Sequence, residues 1–309
     1  MRLSDCHCHF FSSRFLEILT KDRGDFPVDD RAGAVAARLG WDPPGTPDAL
    51  AERWKTELAR HGVSRCALIA SIPGDEDSVA AAVAAAPADF VGFFMFNPVA
   101  PDAEARLGRA VGELGLRGVA LFPAMHNYRL DDPAVDRVFE AAAATGAAVF
   151  VHCGVLTVGV RKKLGLPSRF DLRLGDPLAV GVVAQRHPKV AVIIPHFGAG
   201  FFREALMAAE QAGNVHLDTS SSNSWMKYHP GFTLETVFRS ALQVVGPDRL
   251  LFGTDSSFFP RGWQKGIYDV QRVALDAIGV NADDQAKIFG GNFERLFPDG
   301  INTMGTMTR

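Results

Sequence analysis

The chain is poor in cysteine and has no long apolar run, and each absence narrows what it can be. Only four cysteines occur in 309 residues: Cys6, Cys8, Cys66 and Cys153. All lie in or beside apolar, strand-like runs. They read as buried free thiols of a reducing compartment rather than as a disulfide framework. No stretch of 18 or more apolar residues is present, so no spanning helix is expected. No basic segment followed by an apolar one opens the chain, so no secretory signal is visible and a cytoplasmic location is the default. Charge of one sign is not in surplus either. The chain has 32 basic and 35 acidic residues, net −3, with the basic ones scattered. Neither nucleic acid nor a membrane surface is therefore an expected partner. What remains is ordinary for a globular protein, 47% apolar and 22% charged, and long enough to bury a large core.

Apolar runs alternate with helical patterning along the chain. Strands are expected to begin near residues 3, 66, 90, 118, 148, 190, 214 and 249. Helices are expected over 46–61, 79–86, 102–114, 132–145, 177–186, 200–212, 233–245 and 266–278, with short helices on to 297. The first of these opens on Thr46 as N-cap with Pro47 behind it and stops at Gly62. Continuous apolar strands separated by amphipathic helices mean a parallel sheet covered on its outer face. Eight such units predict an α/β fold, the (β/α)8 TIM barrel. The rival, a doubly wound open sheet, usually carries a Gly-rich phosphate loop after its first strand, and no G-x-G-x-x-G follows here. The polar, proline-rich segment 10–47 reads as an insertion or lid within a single domain over 1–309.

The first strand ends in Asp5-Cys6-His7-Cys8-His9. Strict alternation puts His7 and His9 on one face with Asp5 a layer deeper, and turns Cys6 and Cys8 toward the helices. In a barrel, side chains at the C-terminal ends of the strands converge on one mouth. His7 and His9 end strand one, His152 ends strand five, His196 follows strand six and Asp255 follows strand eight. Each alone reads as well as a core histidine or a helix cap. All five at strand ends point to a divalent metal, since imidazole and carboxylate suit zinc and similar ions.

These residues carry a resemblance. Asp5-Cys6-His7-Cys8-His9, Phe150-Val151-His152-Cys153-Gly154, Pro195-His196-Phe197-Gly198, Phe252-Gly253-Thr254-Asp255 and Lys287 to Phe297 together resemble the amidohydrolase superfamily, and within it the amidohydrolase 2 group, which includes decarboxylases as well as hydrolases. The resemblance implies metal binding by His7, His9, His152 and Asp255, with Asp255 and His196 moving protons or polarising the substrate. It also points to a homodimer. Strand four ends in Leu121-Phe122-Pro123, without the bridging Lys or Glu of two-metal members, so one ion is expected. Zinc is the first expectation, with manganese or iron as alternatives.

One such ion lowers the pKa of bound water toward about 7 and polarises a carbonyl. The expected activity is therefore hydrolysis of a C–O or C–N bond in a small acidic molecule. The alternative is non-oxidative decarboxylation of an aromatic or unsaturated acid. Candidate substrate contacts are Arg161 in the basic run 161–163, with Arg169 and Arg173; Arg203 after His196; Arg261 after Asp255; Trp225 in the polar loop 220–225; and His126 with Asn127 and Tyr128 after strand four. His61, His187, His216 and His229 lie away from strand ends and are left as ordinary residues.

Overall fold

The computed structural model describes residues 2–221 and 223–298. Eight parallel strands form one sheet in sequential order: β1 Leu3–Phe10, β2 Val63–Ala70, β3 Phe90–Phe96, β4 Gly118–Leu121, β5 Ala148–Val151, β6 Val192–Ile194, β7 Val215–Asp218 and β8 Leu250–Leu251. The circuit is completed between β1 and the residues after β8. The Cys6 amide donates to the Phe252 carbonyl at 2.9 Å, the Asp255 amide to the His7 carbonyl at 2.9 Å, and the His9 amide to the Ser256 carbonyl at 2.7 Å. The expected barrel is the observed one. Closure also places Asp255 beside His7, although 247 positions separate them in the chain.

The barrel interior is packed, not hollow. Cys6, Ile69, Phe93, Met95, Phe150 and Leu251 fill it, and Phe293 and Phe297 of the last turns close its N-terminal end. A second, larger apolar layer lies between strands and helices, with Trp54, Phe94, Phe139 and Phe238 fully buried in it. Truncating one such aromatic to alanine typically costs about 3–5 kcal/mol.

β1 departs from strict alternation. Asp5 pairs with Cys66 and Cys8 with Leu68, so three residues of β1 span two of β2. This bulge puts Cys6 inside the barrel while Cys8 packs outward. It corrects the expected facing of Cys6 and of Asp5. Asp5 points away from the histidines. It is fully buried and accepts hydrogen bonds from the His7 amide, the Thr254 amide and hydroxyl, the Trp263 indole and the Cys8 thiol. Burial pushes the Asp5 carboxyl up, against the pull of these donors. Its role is to lock β1 to the Thr254-Asp255 turn. All four cysteines are free and buried.

Segment 10–47 holds two helices, Ser13–Leu19 and Arg31–Leu39, with a small core of its own. Phe11, Phe15, Trp41 and Phe258 form a run of near-parallel rings between this segment and the chain after β8. Their centroids lie 4.3 Å apart for Phe11–Phe15, 5.5 Å for Phe11–Trp41 and 4.3 Å for Trp41–Phe258.

Candidate active site

A cavity of about 500 Å³ opens at the C-terminal ends of the strands. His7, His9, His152, His196 and Asp255 line it. The five residues singled out at strand ends are therefore brought together. His196 and Asp255 both sit in the left-handed region, with φ of 56° and 60°. That conformation costs a non-glycine residue roughly 1–2 kcal/mol, and here it aims both side chains into the cavity.

Hydrogen-bond partners set the tautomers. His7 Nδ1 lies 2.7 Å from Asp218 Oδ2, and a carboxylate can only accept, so Nδ1 carries the proton. His9 Nδ1 lies 2.7 Å from Ser71 Oγ, whose own hydrogen goes to the Ile69 carbonyl at 2.9 Å. Ser71 therefore accepts, and His9 Nδ1 is protonated too. Each ring turns its Nε2 lone pair to the cavity. These two nitrogens are 3.4 Å apart, and Asp255 Oδ1 is 3.0 Å from that of His9 and 3.7 Å from that of His7.

Two lone pairs and a carboxylate oxygen thus converge with no proton between them. That arrangement is repulsive by itself and is what a cation requires. Two ligands each about 2.1 Å from one ion, at angles of about 90–110°, lie about 3.0–3.4 Å apart. The spacing and chemistry of His7, His9 and Asp255 fit a divalent ion. His152 stands at the edge of the group. Its ring stacks on Phe122 at 5.3 Å and meets His196 edge-on at 5.4 Å, and its buried Nδ1 has no hydrogen-bond partner.

Electrostatics agree for His9, His152 and His196, whereas His7 is held toward protonation by Asp218. Burial drives His152 well below the ordinary histidine range and lowers His9 and His196 as well, which keeps them neutral and able to ligate. Burial also opposes protonation of His7, but the touching Asp218 carboxylate outweighs it and the net direction is up. For Asp255 burial raises the carboxyl, and the imidazoles of His9 and His7 overcome it, holding it below the usual range.

His196 is held from behind. Its Nδ1 donates toward the Ser220 carbonyl at 3.3 Å and lies 2.9 Å from Ser220 Oγ, which is also 3.0 Å from His7 Nδ1. Asp218 and Ser220 thus hold the imidazoles of His7 and His196 from behind; Asp218 is not among the residues expected from sequence, and Ser220 is expected only as a hydroxyl of loop 220–225. Asp218 ends β7, a strand-end position like those of the mouth residues. Gly253 is needed beside them, because a Cβ there would come within 2.9 Å of Asp218 Oδ1, His7 Cβ and Ser220 Cβ.

The candidate substrate residues divide. Arg261 and Trp225 line the cavity. Trp225 is buried and its indole donates to Asn223 Oδ1 at 2.9 Å. Arg203 does not reach the cavity: its side chain is 82% exposed and pairs with Glu204. Arg161 turns back to the Pro167 carbonyl, and the basic residue of its run that lines the cavity is Lys163. His126 lies outside the cavity against the Phe96 backbone, and burial lowers it to about 4. Arg173 pairs with Asp171 at the surface. Ser222 of loop 220–225 is outside the described residues. No bridging carboxylate or amine follows β4; Phe122 takes that place in the lining. The aromatic wall of Phe11, Phe15, Trp41 and Phe258 was not foreseen.

Comparison with known proteins gives the family and the fold. A family model described as amidohydrolase covers residues 4–298. The 2-amino-3-carboxymuconate-6-semialdehyde decarboxylase of Dictyostelium discoideum is 29% identical over 133 residues, 40% of this chain and 37% of that protein. The chain thus matches little more than a third of that relative's length. Among solved structures, 5-carboxyvanillate decarboxylase from Sphingomonas paucimobilis superposes with a TM-score of 0.63 at 19% identity, covering 96% of this chain and 98% of the other. A dihydroxybenzoic acid decarboxylase from Polaromonas sp. JS666, with bound manganese and 2-nitroresorcinol, gives 0.59 at 19% identity and 96% of both chains. At these identities the two structures speak for the fold.

Proposed function

The chain belongs to the amidohydrolase family, and we propose that it is a metal-dependent, non-oxidative decarboxylase of a small aromatic or unsaturated acid. The observation that carries this reading is the cavity itself: three converging lone-pair donors beneath an aromatic wall. Hydrolysis was the first expectation from sequence. Most of the similar proteins with named activities are decarboxylases, which favours the alternative.

His7, His9 and Asp255 would hold one divalent ion, with His152 as the fourth protein group. Manganese is the ion to test first, given its presence in a similar structure, with zinc second. When bound, such an ion supplies Lewis acidity and fixes the carboxylate of the acid. The aromatic wall then receives the planar body of the substrate and excludes water around it. Loss of CO2 leaves an electron pair on carbon, and a proton must replace it. Asp255 would deliver that proton. Its carboxylate is one-third exposed to the cavity, so it can accept a proton from solvent and pass it to the electron-rich carbon. His196, with Nδ1 committed to Ser220, presents Nε2 to the same space and orients the polar substituent beside the reacting carbon.

The test is carbon accounting. Manganese-loaded protein is incubated in D2O with hydroxylated benzoates and unsaturated diacids, and headspace CO2 is measured beside the product's mass. The account expects CO2 with one deuterium on the product carbon, and loss of both in Asp255→Asn. A product that gains oxygen from labelled water without CO2 would establish hydrolysis instead.

A further inference from the structure

The charges around the cavity are unbalanced. Among the described residues Lys163, Lys227 and Arg261 line it against a single carboxylate, Asp255, which the floor of the site already uses. Surface arginines elsewhere mostly have acidic partners, as Arg129 has Asp131 and Arg186 has Asp136. Among the described residues Lys163 has no ion pair. Among them Arg261 donates only to the Asp255 carbonyl at 3.2 Å and Ser257 Oγ at 2.6 Å.

Lys163, ending the short helix Gly159–Lys163 after β5, and Arg261, in the loop after β8, meet on one ring. The Arg261 guanidinium carbon lies 4.6 Å from the Phe258 centroid and Lys163 Nζ lies 5.7 Å from it. Cation–π attraction holds each of them there, while the two charges repel one another. An anion between them relieves that repulsion, and a guanidinium fork suits a carboxylate. A monoacid fixed at the floor through its only carboxylate would leave this pair unmatched.

We propose that the site takes a planar acid bearing a second anionic group, which Lys163 and Arg261 hold beside Phe258 at the cavity rim. This rests on the reading of the floor as a site for a metal-held acid, and it adds the specificity of the rim.

Binding tests it without turnover. Manganese-loaded full-length protein is titrated calorimetrically with benzoate and with the 1,2-, 1,3- and 1,4-benzenedicarboxylates. At least one dicarboxylate should bind the wild type tenfold or more tightly than benzoate. Lys163→Gln and Arg261→Gln should each reduce that preference at least fivefold while benzoate affinity stays within twofold. Lys227→Gln, whose ammonium lies over Tyr228 instead, should keep the preference. No preference in the wild type, an unchanged preference in both rim variants, or equal weakening of both ligands would overturn the proposal. A rim preference with no CO2 from any acid would sink the decarboxylase reading alone. CO2 from a monoacid with no dicarboxylate preference would sink the rim proposal alone.

Discussion

Asp218 decides what His7 can do. A histidine ligates through a lone pair, and the group on its other nitrogen determines which nitrogen is free. The Asp218 carboxylate accepts a hydrogen bond from the protonated Nδ1 of His7 at 2.7 Å while its other oxygen accepts one from the Ser220 amide at 2.6 Å, so it is fixed before any ion arrives. Asp218→Asn keeps the shape and removes the charge. Outer partners of this kind are worth roughly 10–100-fold in metal affinity. We expect a loss in that range on calorimetric titration with Mn2+, with an unchanged circular dichroism spectrum. Full affinity in the variant would mean that His7 is not oriented from behind. The five mouth residues were legible in the sequence because each ends a strand, and strand ends converge. Ser71 was not, and Ser220 was legible only as a loop hydroxyl, because only the tertiary fold shows which hydroxyl faces which imidazole. Arg203 and Arg161 were misplaced for a related reason. Proximity in sequence to a strand end says nothing about where a long, exposed side chain turns.

Among elements, segment 10–47 is the least legible from sequence and the most consequential for the cavity. Its helices are short and separated by turns, and their apolar faces pack on each other and on residues 158–166 rather than on the barrel. No periodic stretch was long enough to declare them. The segment is fastened to the barrel by Ser12, the N-cap of its first helix, which donates to both Asp75 oxygens at 2.8 Å. Asp75 is 1% exposed, and burial, partly offset by Ser78 and Ser12, lifts its carboxyl to about 7. The folded state therefore keeps this proton up to about pH 7, while the unfolded chain releases it near pH 4. Stability contributed by Asp75 is full below about pH 4 and declines as pH rises toward 7. Each pH unit in that window changes it by up to about 1.4 kcal/mol. Thermal unfolding of Asp75→Asn should show a flatter dependence between pH 4.5 and 7.5 than the wild type. Parallel curves for the two proteins would contradict this. The bulge in β1 belongs at the same scale. Alternation located the histidines correctly, but one extra residue inverted Asp5 and Cys6, and no residue in the pentapeptide announces it.

For the whole molecule the sequence was sufficient. Eight apolar runs, each followed by an amphipathic helix, admit few topologies, and the absence of a phosphate loop removed the main rival. The number and order of strands and the long helices followed directly. Barrel closure then explains why residues 7 and 255 share a site: the Asp255 amide bonds to the His7 carbonyl across the seam. Both the decarboxylase reading and the rim specificity depend on what the floor of the barrel holds. The most direct measurement is metal content by plasma mass spectrometry, on protein loaded with Mn2+ and desalted, beside a His7→Ala/His9→Ala double variant. The account predicts about one equivalent per chain in the wild type and loss of it in the variant. No metal in the wild type, or equal metal in both, would contradict it.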